Sequence, residues 1–275
     1  MSKTLSEKRA AFRILHESGC FILPNPWDVG SARMFEYLGF AALATTSAGF
    51  AWTIGRPDNA VTRDDVLQHL TSVSEAVDLP VNADFESGFA TDPQEVAANV
   101  TLAVKTGVAG LSVEDRIVGN LDKLYETSLA VERIRAARAA VDQTGEDVIL
   151  VARTEGLLIG GSVSAAIDRL VALADAGADC LYAPGIGMPG LSTKDDVAAL
   201  VKAVAPKPVN VLAAGPGVTL AEFAELGVRR ISIGGALAKV SWEAALAAAR
   251  QLKNGSFDGL AGGISTRQLN EIFHS

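Results

Sequence analysis

A chain of 275 residues, 49% of them apolar, can bury a core the size of a barrel domain. Its formal charge of −8 argues against a nucleic-acid partner, which needs a basic face. No apolar run reaches the length of a membrane span, so no membrane partner is expected either. The opening stretch MSKTLSEKRAAF lacks the apolar centre of a signal peptide. Two cysteines, Cys20 and Cys180, are too few for a disulfide framework and fit free thiols in a reducing cytoplasm. Three scattered histidines, His16, His69 and His274, have no metal-ligand spacing, so zinc is not expected.

Residues 5–18 carry an amphipathic helical pattern with Gly19 as its stop. The apolar run 21–24 reads as the first strand, and Asp28 is placed to cap a helix over 28–38. Residues 41–45 form the second strand, and a Gly-containing loop over 47–59 leads to a helix from about Arg63. Run 80–84 is the third strand, and Asp92-Pro93 opens the next helix with proline at its first position. Strand four spans 110–114, followed by a polar loop and a helix near 128–143. Strand five, 148–153, is backed by a helix over 164–176. Strands six to eight are 179–183, 208–212 and 230–233.

Eight runs alternating with helices, several entered by Gly-x turns, predict an α/β fold of the (β/α)8 TIM-barrel type. A doubly wound open sheet is the alternative and normally uses fewer strands. No linker or low-complexity tract interrupts the chain, which reads as one barrel domain over 1–275. A helical extension begins near 256 and includes a short helix over 265–273.

In such a barrel the functional groups collect where strands end. Asp84 and Glu86, spaced i, i+2 at the end of strand three, point to one side. Two carboxylates there repel each other and call for a cation, and oxygen-only ligands suit a hard ion, Mg²⁺ by default. Other strand ends supply Thr45, Thr46 and Ser47, then Glu114 and Asp115, then Arg153 and Glu155, and finally Asn210. Asp58 lies in the loop after strand two. Each acid alone reads as a helix cap or surface charge. Converging at one barrel mouth, they fit a metal site in which Arg153 clamps a substrate carboxylate. No lysine ends a strand, which argues against Schiff-base chemistry and leaves carbonyl polarisation by a metal. A competing reading is phosphate binding by the glycine loops Gly215-Pro216-Gly217 and Gly234-Gly235, although no basic residue accompanies them.

Four blocks then carry a specific resemblance: Gly55-Arg56-Pro57-Asp58, Asn82-Ala83-Asp84-Phe85-Glu86-Ser87-Gly88-Phe89, Gly110-Leu111-Ser112-Val113-Glu114-Asp115 and Val151-Ala152-Arg153-Thr154-Glu155-Gly156. In this order and spacing the chain resembles the isocitrate lyase / phosphoenolpyruvate mutase superfamily over nearly its whole length. The resemblance implies a barrel dependent on Mg²⁺, with Mn²⁺ as the substitute. It would act on small 2-oxo or 2-hydroxy carboxylates through an enolate. By position, Asp84 corresponds to the direct metal ligand, with Glu86 and Glu114 holding metal-bound waters. Asp58 matches the loop aspartate, and Arg153 binds the substrate carboxylate or orients its reacting group. Thr46, Ser47 and Ala48 fall where the family uses a Ser-Gly pair to bind the pyruvyl carboxylate, Ala48 replacing the glycine.

The superfamily's isocitrate and methylisocitrate lyases carry a Lys-Lys/Arg-Cys-Gly-His loop after strand four. Here 116–124 holds neither cysteine nor histidine, so those two activities are not expected. Asn120 instead takes the place of a gating-loop asparagine. The expected activity is a carbon–carbon lyase or decarboxylase acting on a small 2-oxo dicarboxylate such as oxaloacetate, under a closing loop 116–124. The alternatives are phosphonopyruvate or phosphoenolpyruvate mutase or hydrolase chemistry, and a catalytically silent 2-oxo-acid-binding protein. The resemblance also implies a homo-oligomer, dimer or tetramer, with the segment after Ala261 exchanged between subunits.

Overall fold

The computed structural model describes residues 2–274 apart from Ala214 and Pro216. Its strands are β1 (Phe21–Leu23), β2 (Leu43–Ala44), β3 (Val81–Asp84), β4 (Gly110–Glu114), β5 (Arg116–Ile117), β6 (Asn120–Leu124), β7 (Ile149–Arg153), β8 (Cys180–Tyr182), β9 (Val209–Leu212) and β10 (Arg230–Ser232). Eight of them form one parallel sheet in the order β1-β10-β9-β8-β7-β4-β3-β2, with helices between. At the seam the Ala44 N–H donates to the Pro24 carbonyl at 3.2 Å. Asn25 stitches the same seam: its Nδ2 donates to the Thr45 carbonyl, and its Oδ1 accepts the Ile233 and Gly234 N–H groups. This is the nearly closed (β/α)8 barrel that the sequence pattern predicts.

Period-2 alternation assigns the strand faces. Ala83, Leu111, Val113, Leu150, Ala152, Leu181, Val211 and Ile231 pack outward beneath the helices. Leu23, Ala44, Ile149, Val151, Cys180 and Tyr182 form a separate inner cluster with Phe12, which comes from helix Leu5–Leu15. Gly110 is required where Phe12 enters, since a Cβ there would lie 2.7 Å from Asn82 Oδ1 and 2.8 Å from Phe12 Cε1. The helices start where side chains can accept orphan N–H groups. Asp28 with Ser31, Thr62 with Asp65 and Thr193 with Asp196 form capping boxes, and Asp92 caps a helix with Pro93 in its first turn.

Two segments differ from expectation. The predicted loop over 47–59 begins with a helix, Ser47–Thr53. Thr46 caps it by accepting the Gly49 N–H, while Phe50 and Ala51 bury into the core. The polar loop after β4 folds into an antiparallel hairpin of β5 and β6.

After β10 comes helix Ala236–Lys253, which exposes Leu237, Val240, Trp242, Leu246 and Leu252. The last helix, Thr266–His274, lies against helix Val29–Tyr37 of its own chain, with Arg33 Nη1 donating to the Phe273 carbonyl at 3.5 Å. Among the described residues no helix is long and apolar enough to cross a membrane.

Candidate active site

A cavity of about 270 Å³ opens where the strands end. Its wall comprises Thr45, Thr46, Ser47 and Ala48 after β2, Asp84 at the end of β3, Arg153 at the end of β7, and Tyr182 and Ser232. Asp58 and Lys239 line it from the loop after β2 and from the helix after β10, and Asn82, Asn210 and Arg230 line it as buried residues, Asn210 in register with both Tyr182 and Arg230. Gly234 and Gly235 also line this cavity. Of the other glycine loop, Pro216 lies outside the described residues.

Asp84 is the most connected group. Its Oδ2 accepts the Ser47 N–H at 3.0 Å and the Ser47 hydroxyl at 2.8 Å, and its Oδ1 accepts Arg153 Nη1 at 3.2 Å. The Thr45 hydroxyl accepts the Asp84 N–H at 2.9 Å, fixing the backbone beneath the carboxylate. The capped turn after β2 and the end of β3 are therefore one unit.

Arg153 serves three carboxylates. It pairs with Asp84, lies 3.4 Å from Glu114 Oε2, and binds Glu155 through Nε. Burial works against its charge, yet Glu155, Glu114 and Asp84 hold its pKa well above the ordinary value. Burial, reinforced by Asp84 and Asp58, pushes Glu86 up to about 8. Burial also pushes Glu114 to about 8, with Arg153 opposing and Glu155, Asp84 and Glu86 adding to the rise. Asp58 is raised by partial burial and then by the charge of Asp84. Glu86 adopts a left-handed φ of 46°, and its buried Oε1 has no hydrogen-bond partner. Strain of this kind persists where the surroundings over-determine the backbone, commonly at functional sites.

Asp58, Thr46, Ser47, Ala48, Asp84, Arg153 and Asn210 all line the cavity. Glu86 and Glu114 do not line it, and both lie within the electrostatic reach of Asp84. Asn120 sits exposed on β6 of the hairpin and does not line the cavity. Asp115 turns to the outer side, accepting the Glu155 N–H and the Thr154 hydroxyl beside Arg169, so it braces the end of β7. No three acidic, histidine or cysteine groups among the described residues converge closely enough to hold one ion together. Tyr182, Arg230 and Lys239 are lining residues that the strand-end inventory passes over. Period-2 counting back from Ser232 would have found Arg230, because both face inward.

A model of the phosphoenolpyruvate phosphomutase family matches residues 12–253. The chain belongs to that family. An uncharacterized Mycobacterium tuberculosis protein is 33% identical over 248 residues, covering 89% of this chain and 90% of the relative. Among solved structures, a Burkholderia cenocepacia protein described as a lyase/mutase superposes with a TM-score of 0.92 at 42% identity, over 98% of each chain. Oxaloacetate acetylhydrolase in complex with its product oxalate superposes with a TM-score of 0.84 at 28% identity, over 98% of this chain and 94% of that one. The chain thus shares its fold with a protein described as a lyase/mutase and with an oxaloacetate acetylhydrolase.

Proposed function

We propose that this chain is a Mg²⁺-dependent carbon–carbon lyase or decarboxylase acting on a small 2-oxo dicarboxylate of the oxaloacetate kind. The observation that carries the reading is Asp84, fixed by Ser47 and Arg153 at a small polar cavity, with Glu86 and Glu114 within its electrostatic reach. The cavity is smaller than pockets for drug-sized ligands and suits a compact acid.

The donor set fits a hard divalent cation. The partnerless Glu86 Oε1 and the two carboxyls raised to about 8 mark a place short of positive charge. Asp84 would ligate the ion directly, and Glu86 and Glu114 would hold it through water, with Mn²⁺ as the substitute metal. When bound, the cation polarises the 2-oxo carbonyl and offsets negative charge that develops there.

The rest falls to the chain's own groups. In the capped turn at Thr46, Ser47 and Ala48 the Ser47 N–H is held by Asp84, which leaves the Ala48 N–H to meet the 2-oxo acid end. Arg153, already shared among three carboxylates, holds Asp84 and Glu114 in position more than it offers free charge. Tyr182, whose phenol burial pushes up to about 12, stays protonated at neutral pH beside the guanidinium of Arg153. The β5–β6 hairpin, bearing Asn120, closes over the mouth and excludes water from the enolate. The exposed apolar face of helix Ala236–Lys253 packs against a second copy of the chain, giving a homo-oligomer.

A second reading, phosphonopyruvate mutase or hydrolase chemistry, draws support from the name of the matching family. The test is steady-state turnover of oxaloacetate and of phosphonopyruvate, each with Mg²⁺ and with EDTA, using Asp84→Ala as control. Oxaloacetate turnover above the Mg²⁺-only background, lost in the variant, supports the first reading, and preferential phosphonopyruvate turnover supports the second. Turnover of neither overturns both.

A further inference from the structure

Beneath the cavity lies a cation of a different kind from Arg153. Arg230 is 2% exposed, at the centre of the barrel, and lines the cavity floor. Its hydrogen-bond partners are neutral. Nε donates to Asn210 Oδ1 at 2.9 Å, and Nη1 lies 3.3 Å from both Asn82 Oδ1 and His16 Nε2. His16 has its Nδ1 at 2.7 Å from the Phe12 carbonyl, which must accept, so Nε2 is left with the lone pair that faces Arg230. Burial, and then the charge of Arg230, depress the His16 pKa to about 3, so the imidazole brings no second charge. No carboxylate among the described residues comes within ion-pair distance of this guanidinium. Arg153, by contrast, has three.

A buried cation with only dipoles around it is costly, and an anion arriving next to it recovers much of that cost. Arg230 also settles the orientation of Asn210. An arginine N–H can only donate, so the group facing it must be the amide oxygen. The amide nitrogen is thereby turned to Ser232 Oγ, 3.0 Å away, on the wall of the same cavity. The floor therefore offers donors and positive charge, and no free acceptor from Asn210.

We propose that Arg230 is a positioning residue for a ligand's second carboxylate: it locks Asn210 as a donor and gives the floor uncompensated positive charge. This assigns the distal-carboxylate preference to Arg230 and Asn210, with Arg153 left to organise the carboxylates above. The inference rests on the 2-oxo-acid reading of the site.

The test is calorimetric binding of oxalate and of its monoamide, oxamate, in the presence of Mg²⁺. It uses the full-length wild type, Arg230→Gln, Arg230→Lys and Asn210→Asp, with thermal unfolding to confirm that each is folded. Wild type is expected to prefer oxalate, and Arg230→Gln to lose about tenfold or more of its oxalate affinity while the preference collapses toward one. Arg230→Lys keeps the charge and retains most of the preference. Asn210→Asp keeps the side chain's shape but pairs Arg230 with an internal carboxylate, and is expected to abolish the preference even if Arg230→Gln does not fold. Folded variants that keep the wild-type oxalate-to-oxamate ratio overturn the inference and leave the proposed function standing. A wild type that binds neither compound overturns both.

Discussion

Glu114 on β4 and Arg153 on β7 stand directly opposite each other in the parallel register, with Arg153 Nε 3.4 Å from Glu114 Oε2. The same guanidinium also serves Asp84 and Glu155. Among the described residues Arg116 is the one other cation facing this group, through Glu155, and burial of the acids beside so little positive charge gives the site its pH behaviour.

Glu86 and Glu114 both titrate near 8 in the fold, above their ordinary value of 4.5. Between those values the folded chain holds protons that the unfolded chain has released, so metal-free stability falls as pH rises through this window. In EDTA the thermal midpoint should drop between about pH 5.5 and about pH 8.5. Mg²⁺ should remove most of that drop, and Glu114→Gln should lessen it without metal, with Glu86 still titrating. Scanning calorimetry checks this; a midpoint that rises or stays level with pH in EDTA contradicts the electrostatic account.

Gly110→Ala adds a methyl group where Phe12 and Asn82 leave no room. The expected cost is about 1–3 kcal/mol, read as a lower denaturation midpoint at unchanged slope. An unaltered midpoint would mean that the barrel floor repacks freely.

Arg116, on the hairpin, lies 3.5 Å from the buried Glu155 Oε2. Arg116→Ala should loosen the hairpin while sparing the barrel. Amide exchange over 116–124 is expected to speed up by roughly fivefold, with β4 and β7 unchanged. Equal rates in the two proteins would show that this ion pair does not hold the hairpin.

Helix Ala236–Lys253 leaves Trp242 44% and Leu246 47% exposed. Light scattering of wild type should give a multiple of the 28.6 kDa chain mass. The double variant Trp242→Glu/Leu246→Glu should move toward the single-chain mass. Wild type already at that mass contradicts self-association.

The barrel was legible because each strand is an apolar run ending in polar residues, and Asp84, Glu114 and Arg153 stand at those ends. The helix Ser47–Thr53 was not legible, since Ser47, Gly49, Phe50, Trp52 and Thr53 all have weak helix propensity. It forms because Thr46 caps it and Phe50 finds the core. The hairpin was hidden because its residues are mostly polar on both faces, with no alternation to read. Tyr182 lies inside the predicted run 179–183 and Arg230 opens the run 230–233, so an inventory of the residues that close strands passes over both. The charge environment of Arg230 depends on His16, a residue more than two hundred positions away that only the closed barrel brings near.

The central claim is that Asp84 anchors a cation-dependent site for small 2-oxo acids. Calorimetric titration of oxalate, 2-oxoglutarate and phosphonopyruvate, with Mg²⁺ and with EDTA, on wild type and Asp84→Ala tests it most directly. The account predicts Mg²⁺-dependent binding of at least one of the three by wild type, and its loss in Asp84→Ala. Binding that is indifferent to both EDTA and the substitution, or no binding by wild type at all, would contradict it.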